Sequence, residues 1–297
     1  MQTCYSTAFC RFYLSFLDAA MPSPTIDIAP FLTEDLGDGD LTAAIIPADT
    51  CATAEVITRD AMVLCGTAWF NAVFTHLDAN VQIDWQVAEG ANVASNTVLC
   101  KLSGLARGLL TGERTALNLL QTLSATASVA KQYADAVAGT GCKVLDTRKT
   151  LPGLRNAQKY AVACGGCHNH RMGLYDGVLI KENHIIAAGS IALAVATARQ
   201  QSNMPIEVEV ESLAELQQAL NAKPDRIMLD NFSMADMVAA VAINAGQVEL
   251  EASGNIGLHN IRAIAETGVD FISIGALTKN LHAVDLSMRI QLVQSHD

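Results

Sequence analysis

The sequence carries little charge, and its net charge is negative, which is the wrong sign for binding nucleic acid. Only 16% of the 297 residues are charged, and 30 acidic residues against 19 Lys and Arg give a net charge of −11. General nucleic-acid and anionic-membrane binders draw their affinity from a basic surface. The balance argues against both partners, whereas binding of a small anion depends on where the few cations lie.

Long apolar runs and nucleotide-binding glycine motifs are also missing. No stretch of about 18 residues is both uncharged and strongly apolar, which argues against a membrane span. Neither a P-loop nor a GxGxxG sequence occurs, so a phosphorylated sugar is a better candidate ligand than a dinucleotide. The 8 Cys are irregularly spaced. We therefore expect buried, reduced thiols in a cytoplasmic protein with a sizeable core.

The first twenty residues are a poor secretion signal. Arg11 and Asp18 interrupt the apolar run, and the extreme N-terminus has no cation. A second methionine, Met21, precedes a segment typical of the start of a fold. We expect residues 1–21 to be a dispensable leader or a misassigned start.

The remaining chain changes its periodicity near residue 111. Residues 22–110 mix helix and strand signals, and alternation over 81–102 around Glu89-Gly90 predicts a hairpin. A long helix begins at Thr111 and ends before Gly139 and Gly141. Beyond it, short apolar strands alternate with amphipathic helices, which favours a parallel sheet closed into an α/β barrel.

These signals give specific bounds. The predicted strands are 143–146, 177–181, 205–210, 226–230, 247–251 and 270–274. The predicted helices are 191–201, 213–220, 234–244, 258–267 and a last one over 281–295 that returns to the first part. We predict domains at 22–125 and 126–279, with 280–297 packed on the first.

Polar residues gather at the carboxyl ends of the predicted strands. Those ends meet at one mouth of an α/β barrel, where enzymes of this architecture place their chemistry. Alternation along 206–210 sets Glu207, Glu209 and Glu211 on one side of a strand. Buried carboxylates there would repel one another unless cations or a ligand met them. We therefore predict a functional site, in which Glu209 and Asp230 could share Mg²⁺ or grip hydroxyls.

Cations are concentrated beside these acids. Residues 143–181 contain Lys143, Arg148, Lys149, Arg155, Lys159, Arg171 and Lys181, against Asp146 and Asp176. The planar fork of Arg suits carboxylate and phosphate oxygens, so the cluster indicates a ligand with several anionic groups. Backbone N–H groups near Ser253-Gly254-Asn255 and Gly275 could hold a phosphate.

Cys164-Gly165-Gly166-Cys167-His168 matches a haem-attachment pattern and, with His170, offers zinc ligands. The motif is isolated, and its four potential ligands lie within seven residues, too close together for a zinc site. We therefore assign it neither haem nor zinc.

Six segments resemble the quinolinate phosphoribosyltransferase family. They are GERTALN at 112–118, DTRKTLPGLR at 146–155, GGCHNHR at 165–171, LIKENH at 179–184, EVEV at 207–210 and LDNF at 229–232. The resemblance runs from about Ile26 to the C-terminus. It implies an N-terminal α/β sandwich domain beside an incomplete parallel α/β barrel. It also implies a homodimer in which one subunit's sandwich covers the other's barrel mouth, and it leaves open whether dimers form hexamers.

The same resemblance implies an activity and a set of site residues. Quinolinate and phosphoribosyl pyrophosphate would give nicotinate mononucleotide, pyrophosphate and CO₂ in NAD biosynthesis, with Mg²⁺ held through Glu209 and Asp230. The residues implied to bind quinolinate are Arg114 (from the partner), Arg148, His170, Arg171 and Lys181. Those implied for the phosphoribosyl group are Lys149, Glu209, Asp230, Ser253, Gly254, Asn255 and Gly275. The expected catalytic set is Lys149, Lys181, Glu209 and Asp230. Many relatives have glycine at the position of Asn255.

Three alternatives stay open at this point. Lys181 at a strand end would suit a Schiff-base aldolase. A phosphoribosyltransferase-like protein of molybdate loci would share the architecture. A non-catalytic scaffold would leave the charge at the strand ends unexplained.

Overall fold

The computed structural model describes residues 26–293 of the chain. The predicted leader at 1–21 and the end of the predicted 281–295 helix lie outside that part. None of the helices within 26–293 combines the length and apolarity that a membrane crossing needs.

An antiparallel sheet forms the first half of the fold. It consists of β1 (Cys51–Thr58), β3 (Gln82–Trp85), β5 (Val98–Leu105) and β12 (Leu286–Leu292), in the order β12-β1-β5-β3. In β1, Ala52, Ala54 and Val56 are buried while the residues between them are not. This alternation places one face of the sheet on a core. The short strands β2 (Met62–Val63) and β4 (Asn92–Val93) pair separately.

The predicted hairpin over 81–102 is partly right. β3 and β5 pair antiparallel, from Gln82 opposite Ser103 to Trp85 opposite Cys100. Glu89-Gly90 does form a turn, in which the Ala91 N–H donates to the Ala88 carbonyl at 3.1 Å, but this turn leads into β4 rather than directly into β5. The connection instead carries β4 across to β2.

Helices cover this sheet with apolar side chains. They are α1 (Ala29–Leu36), a single 3₁₀ turn (Ala43–Ile45), α2 (Thr67–Leu77) and the start of α3 (Ala106–Ala136). Phe70 and Phe74 of α2 are fully buried one turn apart, with ring centroids 5.0 Å from each other. Burial of these aromatic side chains stabilises the first core.

The long helix α3 joins two hydrophobic cores. Its 31 residues begin five positions before the predicted Thr111 and end before Gly139 and Gly141, whose φ angles are both +81°. Ala127 packs in the core of the antiparallel sheet, whereas Ala130 packs in that of the second sheet. The domain boundary that we predict at 125/126 therefore falls inside one helix, and it stays a prediction.

Six parallel strands form the second sheet. They are β6 (Lys143–Leu145), β7 (Val178–Ile180), β8 (Ile206–Val210), β9 (Arg226–Asp230), β10 (Glu249–Ser253) and β11 (Phe271–Ser273), in the order β6-β11-β10-β9-β8-β7. The helices that alternate with them are α4 (Arg155–Cys164), α5 (Glu182–Ala188), α6 (Ile191–Gln201), α7 (Leu213–Ala222), α8 (Met234–Asn244), α9 (Ile261–Ala265) and α10 (Ala276–Lys279). Ser190, Ser212 and Ser233 cap α6, α7 and α8 by accepting a backbone N–H.

The parallel sheet stays open between its edge strands. Among residues 26–293, β6 and β7 do not pair with each other, and only an isolated bridge from Leu145 to His168 extends the β6 side. A closed barrel of this class has about eight strands, so six leave a gap. The prediction of closure is wrong, and the incomplete barrel that the resemblance implies is confirmed.

The C-terminal helix predicted over 281–295 is wrong. Residues 286–292 form β12, which pairs antiparallel with β1 from Leu286 opposite Thr58 to Leu292 opposite Ala52. Leu286, Met288 and Ile290 all pack on the first core, a period of two that suits a strand. The segment does return to the first half of the fold. Smaller shifts also occur: β10 lies two residues later than predicted, and α9 is shorter.

Candidate functional site

The carboxyl ends of the parallel strands bring the predicted polar residues to one edge. Parallel strands in register end side by side, as Ser253 of β10 opposite Asp230 of β9 shows. On β8, Val208 and Val210 are fully buried in the core, while Glu207 and Glu209 point to the other side. The predicted alternation on this strand is confirmed.

Lys181 and Glu209 form an ion pair across two neighbouring strands. Lys181 follows β7, and its Nζ contacts the Glu209 carboxylate on β8. The Glu209 side chain is 12% exposed and that of Lys181 47%, so the lysine is the more accessible partner. Asp230, at the end of β9, accepts a hydrogen bond from the Asn231 side chain at 2.7 Å. This edge therefore presents two carboxylates and an ammonium group together.

Arg148 and Arg171 bring positive charge to the same region. The Nε of Arg148 is buried and has no hydrogen-bond partner among the described residues. Arg171 donates from Nη1 to the Gly177 carbonyl at 2.9 Å. Burial, and next to it the charge of Arg148, lower the pKa of Arg171. Two guanidinium groups that repel each other, one of which has a buried Nε without a partner among the described residues, can together bind an anion.

The ring of His170 is held at both nitrogens. Its Nδ1 accepts the Arg171 backbone N–H at 2.8 Å. The proton therefore lies on Nε2, which donates to the Glu207 carboxylate at 2.8 Å. Burial lowers the pKa of His170, and the Glu251 carboxylate opposes that effect. The arrangement fixes the tautomer and the plane of this side chain.

Two buried carboxyl groups, those of Glu207 and Glu251, lie close to His170 Nε2. Glu251 Oε2 is 3.5 Å from His170 Nε2 and 3.3 Å from Arg226 Nη1. Arg226 also contacts Glu249 at 3.1 Å and stacks on the Phe271 ring, with its guanidinium carbon 3.9 Å from the centroid. Burial raises the pKa of Glu251 to about 7, and the charge of Glu207 adds to the rise. Because burial also raises the pKa of Glu207, this pair favours holding a proton.

The backbone of residues 168–171 rests on a second buried pair. The Lys159 ammonium, fully buried in α4, contacts Asp146 Oδ1 and donates to the His170 carbonyl at 2.9 Å. The Asp146 carboxylate also accepts the His170 N–H at 2.9 Å and the Asn169 side-chain amide at 2.6 Å. Burial raises the pKa of Asp146 and lowers that of Lys159, and their mutual attraction opposes both shifts.

The turn after β10 depends on a glycine. Gly254 has φ +92°, and a Cβ there would lie 2.2 Å from Asn231 Oδ1. Asn255 also has a positive φ, +52°, and donates from its side chain to the same oxygen at 3.1 Å. Lys149 lies nearby in the fold, since a Cβ on Gly275 would be 3.1 Å from its Cδ. These close approaches explain why both turns have glycine, since a Cβ at either position would meet a neighbouring side chain.

Arg114 stands apart from this group. It is exposed on α3, and within residues 26–293 no hydrogen bond or ion pair joins it to the strand ends. Its charge acts on Glu113, whose pKa is raised by burial and lowered by Arg114.

The cysteines of the CxxCH motif face different elements. Cys167 Sγ donates to the Ala130 carbonyl at 3.1 Å, whereas Cys164 lies with Cys65 and Glu89. Among the described residues, the two motif cysteines share no potential metal cluster.

Family models describe nearly the whole of this fold. "Quinolinate phosphoribosyl transferase, N-terminal domain" matches residues 40–124, and "Quinolinate phosphoribosyl transferase, C-terminal domain" matches residues 126–289. The chain belongs to the quinolinate phosphoribosyltransferase family.

Relatives in this family are similar over most of their length. A probable nicotinate-nucleotide pyrophosphorylase [carboxylating] of Bacillus subtilis is 40% identical over 88% of this chain and 91% of its own. The enzyme so named from Mycobacterium leprae is 42% identical over 86% and 93%. A solved nicotinate-nucleotide pyrophosphorylase structure from Francisella tularensis is 50% identical, covers 89% of this chain and 94% of its own, and has a TM-score of 0.86.

Membership of the quinolinate phosphoribosyltransferase family confirms the resemblance drawn from DTRKT, HNHR and KENH. Sequence patterns had also placed Glu207 and Glu251 at strand ends, but without a role. They gave no sign that Asp146 pairs with Lys159 or that Arg226 joins Glu251. Such contacts join residues on different elements, so no local spacing in the sequence predicts them.

Proposed function

We propose that this protein transfers the phosphoribosyl group of phosphoribosyl pyrophosphate to quinolinate and releases CO₂, giving nicotinate mononucleotide for NAD biosynthesis. The names of its family relatives support the reaction. The observation that carries the proposal is the pair Arg148 and Arg171: the charge of Arg148 lowers the pKa of Arg171, and the buried Nε of Arg148 has no partner among the described residues. A pyridine dianion would supply the missing negative charge.

Quinolinate would bind through its two carboxylates. Arg148 offers a buried Nε donor, and Arg171 and Lys181 add positive charge from neighbouring loops. His170, held by Glu207, would present a fixed edge to the ring. Arg114 is exposed on α3, so we propose that it enters the site of a second copy of the chain in a homodimer.

Bond formation would follow from positioning. The quinolinate ring nitrogen attacks the anomeric carbon with its lone pair as the bond from that carbon to pyrophosphate breaks. Positive charge then develops on the ribose, and the Glu209 and Asp230 carboxylates would stabilise it. The ring nitrogen becomes a pyridinium, whose positive charge would stabilise the electron pair left on the adjacent ring carbon when its carboxylate departs as CO₂. A proton then replaces CO₂ on that ring carbon, without a covalent enzyme intermediate.

The same carboxylates fit a magnesium ion. Glu209 and Asp230 lie at the ends of adjacent strands, and carboxylate oxygens are ligands that Mg²⁺ prefers. When bound with the pyrophosphate, Mg²⁺ would neutralise charge on the leaving group. Lys181 would stay near this charge through its contact with Glu209.

The phosphate of the sugar would lie at the turns after β10 and β11. At these turns, Gly254 and Gly275 let the side chains of Asn231 and Lys149 approach the backbone closely, and Ser253 and Asn255 lie on either side of Gly254. Lys149, next to Gly275, would contact the phosphoribosyl group from the other side. We propose that this activity lies in the cytoplasm, which the free thiols of the described cysteines suit.

Substrate dependence tests the proposal. Purified protein with Mg²⁺, quinolinate and phosphoribosyl pyrophosphate should form nicotinate mononucleotide, and omission of either substrate should abolish it. Arg199 pairs with Asp225, which lies just before β9 and away from the carboxyl ends of the strands. The Arg199→Ala variant therefore serves as a surface control and should keep the turnover of the parent. Retained turnover with nicotinate instead of quinolinate would contradict the proposed substrate.

A further inference from the structure

Two thiols meet outside the strand-end site, between the two halves of the fold. Cys65 lies two residues after the end of β2, and Cys164 is the last residue of α4. Their Sγ atoms and a carboxylate oxygen of Glu89 all lie within 4.8 Å of one another. Both thiols are free. Neither residue has a part in the proposed reaction.

The two thiols differ in access to solvent. Cys65 is fully buried, whereas Cys164 is half-buried. The hydrogen bond between them lowers the pKa of Cys164, and that contact together with burial raises the pKa of Cys65. Cys164 is therefore the thiol that ionises first and that a small oxidant reaches first.

The negative charge of Glu89 opposes ionisation of Cys164, but hydrogen bonds to the Glu89 carboxylate disperse that charge. Its carboxylate oxygens accept the backbone N–H groups of Gly66 at 2.8 Å and Thr67 at 3.1 Å, at the start of α2. They also accept the Tyr160 hydroxyl at 3.1 Å. Three donors disperse the negative charge that would oppose a thiolate at Cys164.

We propose that Cys65 and Cys164 form a redox-modification site, in which a peroxide converts the facing thiols into a disulfide. The Cys164 thiolate attacks one peroxide oxygen, the O–O bond breaks, and the departing hydroxide takes a proton from solvent, so that sulfenic acid and water result. Cys65 Sγ then attacks the sulfenic sulfur, the S–S bond forms, and the hydroxyl leaves with the Cys65 thiol proton as a second water. Two thiols thus supply the two electrons that reduce one hydrogen peroxide.

The donor set favours this chemistry over a bound metal. A structural zinc ion takes four ligands, and among residues 26–293 three donors meet here. The Glu89 oxygens already accept three hydrogen bonds. The disulfide would close a loop of about 100 residues and tie the start of α2 to the end of α4, which restricts the unfolded chain. Oxidation should therefore raise the thermal midpoint.

Mass spectrometry of the full-length protein tests the pair. After hydrogen peroxide treatment, denaturation and alkylation, a non-reducing digest should contain a Cys65–Cys164 linked peptide. Cys65→Ser should lose the link and leave a dimedone-reactive sulfenic acid on Cys164. Cys142→Ser, a buried thiol elsewhere in the fold, should keep the link.

Three results would overturn the inference. In the parent protein, alkyl groups on both Cys65 and Cys164 after oxidation would show that they do not pair. Linked peptides joining other cysteines would show that oxidation is unspecific. Stoichiometric zinc in the purified protein, lost in Cys164→Ser, would assign the cluster to a metal instead.

Discussion

Glu251→Gln should change how the stability of the protein depends on pH. Glu251 is fully buried, 3.5 Å from His170 Nε2, and its pKa is raised from 4.5 to about 7 by burial and by Glu207. The folded protein therefore binds more protons than the unfolded chain between these values. A raised carboxyl pKa means that stability is fully present below about pH 4.5 and is lost as pH rises through about 7.

The loss can be sized from the two values. A rise from 4.5 to about 7 corresponds to about 3 kcal/mol in total, at about 1.4 kcal/mol for each pH unit. Roughly 2.5 kcal/mol of it falls between about pH 5 and about pH 8. Glutamine does not titrate, so the free energy of unfolding of Glu251→Gln, relative to the parent, should rise by about that amount over the same interval.

Chemical denaturation at the two pH values, followed by circular dichroism at one protein concentration, measures the difference. Glu249→Gln is the matched control, because Glu249 contacts the same Arg226 but its side chain is 43% exposed. The control should follow the parent at both pH values. An equal stability difference between Glu251→Gln and the parent at both pH values would refute the buried, protonated carboxyl behind His170.

Four further changes test other parts of the site. Arg148→Ala should raise the KM for quinolinate more than tenfold, because a charged donor to a carboxylate is lost; steady-state kinetics measure it, and unchanged kinetics remove Arg148 from the pocket. Lys159→Met should cost about 3 kcal/mol of unfolding free energy by leaving Asp146 buried without its partner, and a denaturation midpoint equal to the parent's would contradict this. Gly254→Ala should weaken phosphoribosyl pyrophosphate binding, because φ is +92° and the new Cβ would meet Asn231. Calorimetric titration measures the affinity, and an affinity equal to the parent's would mean that the phosphate binds elsewhere. Arg114→Ala and Lys181→Ala, each inactive, should regain activity when mixed and reassembled if Arg114 acts across a dimer, whereas no recovery would place it in its own subunit's site.

The strand-end chemistry was predictable because it has a periodic signature. Alternation in β8 separated Val208 from Glu207 and Glu209, and the bounds of β9 and α8 matched those predicted. The order of motifs then indicated the family. Each of these features depends on residues close together in sequence.

The features that sequence patterns missed depend on distant partners. Residues 286–292 carry alternating apolar residues, but β12 exists because β1 offers a free edge. The spacing of strands and helices indicates six strands but not whether the two edge strands pair, so it predicted a closed barrel where the described sheet stays open. The Asp146–Lys159 contact likewise forms only when α4 packs against the end of β6, and the thiols of Cys65 and Cys164 meet only after the two halves of the fold pack.

The central claim is that CO₂ leaves from the carboxylate next to the quinolinate ring nitrogen as nicotinate mononucleotide forms. Quinolinate labelled with heavy carbon in that carboxylate, incubated with phosphoribosyl pyrophosphate, Mg²⁺ and the protein, tests it most directly. We expect one labelled CO₂ for each nicotinate mononucleotide, and neither product without phosphoribosyl pyrophosphate. Mononucleotide formation without labelled CO₂, or no product from quinolinate at all, would contradict the account.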